Sequence, residues 1–350
     1  MKNLRWIALS LLLSSAALIG LLAATFTPAT RAYLGEVGGV ALLLALALRA
    51  GSILCRIVRI GVICRGLDYT VPLSSLAITQ SLSLFAGSFT PGQVGGEPVR
   101  IHRLSRAGLA VGDAVTVVVV ERVLDLAVFA SLTFAAFLAV RHLWGYLAAT
   151  VLYPVAAFLV LVLVLLLALV VLVRRPSLAN RIIGGVAVRV LDRCGRSRLR
   201  LRPGSDGAER LAERISRETE IFAASASRFA RADPRALGGA ILASILDWVL
   251  LFSTASALLV ALDLPPSFPE SFLFQGILQM IAAVPLIPGA AGIAELGAAT
   301  LYSRIVPTYL LGLFVVLWRL ILYFLNIPLG LLAAALAARE KADTRGTENL

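Results

Sequence analysis

The run from Val151 to Val173 holds no charged residue. Its length matches the roughly 20 apolar residues a helix needs to cross the hydrocarbon core of a bilayer. Much of the chain shares that composition. Of its 350 residues 59% are hydrophobic, mean hydropathy is +0.91 and only 15% are charged, against about 25% in a soluble domain. The expected fold class is an all-α polytopic membrane protein, a single transmembrane domain over residues 1–350.

The net charge of +12 raises the question of nucleic acid. The cations, however, lie beside apolar segments and not in a soluble domain with aromatic platforms. Attraction to anionic headgroups and the positive-inside bias explain them better, and no nucleic-acid partner is expected. Cys55, Cys64 and Cys194 have no CxxC spacing, and His102 and His142 are the only histidines. No disulfide framework, metal site or cofactor is expected.

The first span is read at about Trp6–Phe26, an uncleaved helix and not a leader, because its apolar stretch approaches full span length and further spans follow. A second covers about Val40–Ile60, with Arg56, Arg59 and Arg65 marking a cytoplasmic end. Further spans are expected at Val111–Val140, Leu147–Val173, Leu237–Leu262 and Leu310–Ala337. Residues 174–235 read as a basic cytoplasmic loop, in which Leu211, Ile215, Phe222, Ala226 and Phe229 would form one amphipathic, interfacial helix. Residues 342–350 read as a flexible tail, with both termini cytoplasmic.

Two segments break this pattern. Ser81–Arg106 joins an apolar approach to Pro91, Gly92, Gly95, Gly96 and Glu97, then to Arg100, His102, Arg103 and Arg106. Backbone this irregular is tolerated in a membrane only where protein or a water-lined cavity satisfies it. If Leu73–Phe89 crossed fully, the arginines after it would lie outside, so a hairpin that re-enters is favoured. TPGQVGGE at Thr90–Glu97 is echoed by IPGAAGIAE at Ile287–Glu295, which carries Pro288, Gly289 and Gly292 behind an approach containing Gln275 and Gln279. Counting spans places that second hairpin on the opposite face. The expectation is about six full spans plus two re-entrant helical hairpins, or eight spans if both broken segments cross. Inverted, Pro/Gly-interrupted repeats of this kind point to midplane substrate sites in transporters.

Ionisable residues at membrane depth mark the candidate site. Glu121 and Asp125 are four apart and share a helix face, with Arg122 turned about 100° from Glu121. Glu97 is a natural partner for Arg122. Arg319 lies too deep to snorkel and needs an acid, with Glu295, Glu97 and Asp247 as candidates. The bland alternative is an ion-pair network that only fixes packing.

The blocks FTPGQVGGEPVRIHRLSRAG, VVVERVLDL, PLIPGAAGIAELG and WRLILYFLNIPLG together resemble the transmembrane region of lysylphosphatidylglycerol synthase, a flippase-like family, over roughly residues 5–338. In the full-length synthases this region is the lipid-translocating part, and a separate domain aminoacylates the lipid. That domain is not expected in this sequence, so the resemblance implies handling of an anionic phospholipid or polyprenyl-phosphate lipid in a prokaryotic cell (inner) membrane. It also implies a polar core of Gly95, Gly96, Glu97, Arg100, Glu121, Arg122, Gly289, Gly292, Glu295 and Arg319. Substrate contacts are expected from Glu97, Arg100, Arg103, Glu121, Arg122, Asp125, Gln275, Gln279, Glu295 and Arg319, with Pro91, Gly92, Gly95, Gly96, Pro288, Gly289 and Gly292 shaping the backbone. No catalytic residue is assigned. An intramembrane lipid-phosphate transferase and a non-transporting scaffold are the alternatives. A homo-oligomer or a separately encoded lipid-modifying enzyme are the candidate protein partners.

Overall fold

The computed structural model describes residues 2–90, 92–141, 234–283 and 289–348, with isolated positions between 156 and 229. The regular structure among them is helical: α1 (Lys2–Thr25), α2 (Pro28–Tyr33), α3 (Gly39–Gly66), α4 (Leu73–Ser88), α5 (Gly96–Arg106), α6 (Val111–Ala139), α7 (Pro234–Ala261), α8 (Phe268–Ala283), α9 (Ile293–Tyr302), α10 (Thr308–Arg319), a π-helical turn (Leu320–Phe324) and α11 (Asn326–Glu348). The span expected at Leu147–Val173, Pro91, Pro288 and most of the loop 174–235 lie outside the described residues. The last helix takes in most of the segment read as a tail.

Gly39–Gly66, Pro234–Ala261 and Thr308–Glu340 are each long and apolar enough to cross a bilayer. Only 22% of the first one's apolar window is buried inside the protein, against 61% of the third's. The α10–α11 rod is therefore central, while α3 and α7 turn Leu43, Leu54, Val58, Leu242 and Leu246 outward. Such a surface suits a lipid solvent, where packing of small residues and polar contacts, not water exclusion, holds helices together. Accordingly Gly312 of α10 lies against Leu22 and Thr25 of α1, and Gly330 of α11 against Phe85 of α4.

The helices repeat. Gly39–Gly66 and Pro234–Ala261 are both 28 residues long, and Leu73–Ser88 and Phe268–Ala283 are both 16. The shift between each pair is 195 (234 − 39; 268 − 73). From the hairpin turns onward it is 197, which carries Gly92 to Gly289, Val111 to Thr308 and Arg122 to Arg319 (319 − 122). The first unit is α3–α6 and the second α7–α11.

The two units run in opposite directions. The most extensive helix contact among the described residues, α3 against α7, is antiparallel. Gly38 N–H donates to the Ala261 carbonyl at one end, Arg56 meets Asp247 further along, and Gly66 faces Ala236 at the other end. The hairpins are exchanged, so that α4 packs on α11 of the second unit and α8 on α6 of the first.

The arms of each hairpin are short. A helix of 16 residues, α4 or α8, is about 24 Å long, less than the roughly 30 Å hydrocarbon core. Their return helices, α5 and α9, have 11 and 10 residues. The last span, expected to be one helix, is interrupted by the π turn directly after Arg319.

Candidate functional site

The turns of both hairpins take the same unusual backbone. Gly92 and Gln93 have φ of 61° and 59°, and Gly289 and Ala290 have 62° and 50°. This left-handed region is costly for residues with a Cβ, and its recurrence at equivalent positions ties the two Pro-Gly blocks together. The tips touch at Gly289. A Cβ there would lie 2.7 Å from both the Ser88 carbonyl oxygen and the Tyr323 ring. Tyr323 donates its hydroxyl to that same carbonyl at 2.9 Å, and Asn326 Nδ2 donates to Ser88 Oγ at 3.3 Å. The π turn is what presents both residues to the end of α4, in keeping with the frequent use of such turns at functional sites.

Each return helix begins with an acid in its first turn, where the positive end of the helix dipole favours it. Glu97 of α5 accepts from Arg122 of α6 at 2.6 Å. Glu295 of α9 accepts from Arg319 of α10 at 2.8 Å, from the Gly292 N–H at 2.7 Å and from the Ser14 hydroxyl. Arg319 also donates to the Gly289 carbonyl at 2.7 Å and stands 4.1 Å over the Tyr323 ring. The two pairs are thus counterparts, with the acid of the second one position later than the shift of 197 that relates the arginines, but their surroundings differ. The Arg122 and Glu97 side chains are 45% and 29% exposed, those of Arg319 and Glu295 only 6% and 0%.

Behind them lies a buried network. Arg59 of α3 bonds Asp125 at 2.6 Å and Glu121 at 3.2 Å, both on α6, and Ser244 of α7 at 3.0 Å. Arg100 takes the other Glu121 oxygen at 2.6 Å and the Ser83 hydroxyl at 3.1 Å. Gly96 permits this approach of α5, since a Cβ there would come within 2.5 Å of the Ser83 carbonyl. Arg56 pairs with Asp247 at 2.9 Å, and Trp248 donates its indole N–H to Asp125 at 3.1 Å. Arg56 and Arg59, read from the sequence as flanking charges of a cytoplasmic helix end, therefore lie inside the protein.

Two adjoining cavities open onto these groups. One of about 90 Å³ is lined by Arg49, Arg56, Gln275, Arg319, Tyr323 and Asn326 among others; the second, about 270 Å³, by Glu97, Arg122, Asp125, Phe129 and Trp248. Arg56, Gln93, Gln279 and Ala282 line both, so the two form one path from the exposed ion pair to the buried one. Together they reach the lower end of the range for small-ligand pockets, about 300–1,000 Å³.

Of the residues singled out from the sequence, Glu97, Arg122, Asp125, Gln275, Gln279, Arg319, Gly92 and Gly289 line this path. Glu121 and Arg100 stand behind it and hold each other. Glu295 touches it through Arg319. Arg103 lies apart, bonded to Glu340 at 3.1 Å.

Sequence reasoning missed Arg49, Arg56 and Arg59 as interior charges. Arg49 is 3% exposed, and its bond goes to a neutral group, the Asn326 side-chain oxygen at 2.9 Å. The available signal was the spacing of Arg49, Ser52, Arg56 and Arg59 by three, four and three, which puts them on one helix face.

Comparison with known proteins agrees with this architecture. A curated relative from Archaeoglobus fulgidus, described as a UPF0104 membrane protein, is 34% identical over 259 residues, covering 73% of this chain and 74% of that one. The sequence profile of the family described as Lysylphosphatidylglycerol synthase TM region matches residues 6–330. An integral membrane protein of two inverted helical units, this chain belongs to the lysylphosphatidylglycerol synthase TM region family.

Proposed function

We propose that this protein binds and translocates an amphiphile with an anionic headgroup, an anionic phospholipid or a polyprenyl-phosphate lipid, across a prokaryotic cell membrane. The observation that carries this reading is the tip-to-tip meeting of two inverted broken-helix hairpins beside a path lined by Arg49, Arg56, Arg122 and Arg319. Discontinuous helices at a repeat interface are the recurring way transporters build a midplane site. Guanidinium forks suit phosphate oxygens, and the carboxylates would hold those forks when the headgroup is absent.

Short α4 and α8 support re-entrant hairpins over complete spans. The basic segments then support cytoplasmic termini, and the archaeal relative supports a prokaryotic membrane. A lipid-phosphate transferase would need a free carboxylate as base. Glu97 and Asp125, the acids on the path, both face arginines, which favours transport.

Reconstitution tests the reading. Purified protein in liposomes should speed leaflet exchange of a labelled anionic phospholipid, followed by a membrane-impermeant quencher. Exchange no faster than in empty vesicles, across phosphatidylglycerol, phosphatidic acid and polyprenyl phosphate, would reject it.

A further inference from the structure

We infer that Arg49 is the anion-binding residue of the inner cavity, and that its ligand is a singly charged phosphodiester. The inference rests on the lipid-binding reading for the source of that group. Its evidence is the balance of buried charge.

Among the described residues, the polar core gathers six arginines, Arg49 together with Arg56, Arg59, Arg100, Arg122 and Arg319, around five carboxylates. Every one of those arginines except Arg49 touches a carboxylate within 4.0 Å. Arg49 sits on α3 about two turns before Arg56, 3% exposed, and donates to Asn326 Oδ1. Its Nε–H is buried with no acceptor, as is the indole N–H of Trp318, another residue lining the same cavity. A buried cation without a counter-charge is costly, and a structure retains it where a ligand supplies the missing charge. One positive charge is in excess, so one negative charge completes the core.

The chemistry of the ligand follows from place and donors. Arg49 Nε–H, the Trp318 N–H and the Gln279 amide supply donors beside a planar cation, with the second N–H of Gln275, whose first goes to Tyr302; the tetrahedral oxygens of a phosphodiester can meet such donors on more sides than those of a planar carboxylate. A phosphodiester carries a single negative charge and several acceptor oxygens. A phosphomonoester carries about −1.5 to −2 at neutral pH and would leave charge uncompensated. At this depth the ready source of a phosphodiester is the headgroup of a phospholipid, and its water-soluble counterpart is the deacylated headgroup.

Asn326 offers a variant that separates ligand binding from folding. Asn326→Asp places a carboxylate against Arg49 at the existing 2.9 Å contact, supplying the missing charge from within. The variant gives up the Asn326 Nδ2 bonds to Ser88 and to the Leu322 carbonyl but gains an ion pair, so it should stay folded, yet bind the anion about ten- to a hundredfold more weakly, the loss expected from one charge-assisted contact. Arg49→Met should lose binding to a similar extent.

The full chain in detergent is titrated at pH 8 with four probes: phosphatidylglycerol, phosphatidic acid, oleate and glycerophosphoglycerol. Binding is followed by tryptophan fluorescence and by native mass spectrometry. Phosphatidylglycerol binding tightest, and weakened by both variants while Asn326→Asp stays folded, is the expected result. Glycerophosphoglycerol matching phosphatidylglycerol, with the same dependence on Arg49, would support the site and assign it to the free headgroup; much weaker binding would assign it to the lipid. Phosphatidic acid or oleate binding as tightly as phosphatidylglycerol would overturn the inference, as would native-like binding by Asn326→Asp. Tight lipid binding indifferent to Arg49 would remove this inference and leave the lipid reading standing. Binding of glycerophosphoglycerol alone would do the reverse, and no binding of any probe would remove both.

Discussion

Arg122 and Arg319 occupy equivalent positions in two units that run in opposite directions, and each grips the acid in the first turn of its own hairpin's return helix. The arginine on α6 is open and the one on α10 is enclosed. A pair of matched contacts in unmatched surroundings is what one conformation of an inverted-repeat transporter would display, with the path open on one side only.

That difference sets unequal costs for equivalent mutations. Arg319→Ala strands Glu295 in a buried setting and should destabilise the protein by about 3–5 kcal/mol. Arg122→Ala breaks an exposed pair and should cost less than about 1 kcal/mol. Thermal unfolding in detergent compares them, and equal shifts would contradict the assignment of open and closed sides.

Access along the path should follow the same asymmetry. In a background with the native cysteines replaced by serine, Ala283→Cys, on the wider cavity, should react quickly with a water-soluble maleimide. Ala294→Cys, buried beside Arg319, should be protected. Addition of a transported lipid should bring Ala294→Cys into reach and slow Ala283→Cys. Equal reactivity of both positions without lipid would show a path open at both ends.

Arg59 holds the first unit to α7. Arg59→Met leaves Asp125 and Glu121 short of a partner in a buried setting and should cost about 3–5 kcal/mol, enough to remove most folded protein from the membrane fraction. Arg59→Lys keeps the charge but loses the fork and should recover only part of the yield. Size-exclusion chromatography of detergent extracts measures both.

The contact between the tips should be needed for movement as well as for stability. Gly289→Ala introduces a Cβ at a left-handed residue against the Ser88 carbonyl and should cost about 2 kcal/mol or more. Tyr323→Phe removes one hydrogen bond and should cost about 1 kcal/mol. Leaflet exchange should fall for Gly289→Ala even when protein amounts are matched; exchange at the native rate would show that the tips need not meet this closely.

Much of this arrangement can be read from residue types. Pro-Gly dipeptides within apolar segments marked both hairpin turns, and the pairs Glu97–Arg122 and Glu295–Arg319 were among the partners expected from depth alone. What stayed hidden has a common cause. Positive-inside reasoning counts arginines near helix ends as flanking charges, and Arg56 and Arg59 fall at such an end. They become interior because α3 continues to Gly66 and packs on α7, a long-range contact that no local pattern reports. The shift between units, 195 and then 197, was equally obscured, because apolar residues interchange freely on a lipid-facing surface and few identities, among them Gly92 with Gly289 and Arg122 with Arg319, keep the register. The π turn depends on Tyr323 and Asn326 finding Ser88, 235 and 238 residues away.

That turn is also where the equivalence of the two units ends. Up to Arg319 the second unit follows the first, but Leu320–Phe324 winds differently from the continuous α6. A molecule with perfect two-fold symmetry would have two conformations of identical free energy, each the mirror of the other's openings, and would rest in both equally. Any preference for one resting state has to reside in groups that lack a counterpart. The π turn and the Arg49–Asn326 contact are such groups, and so is α1, whose Ser14 reaches Glu295 with no equivalent beside Glu97, so in a molecule of this kind any such preference would be set at the buried pair and not at the exposed one.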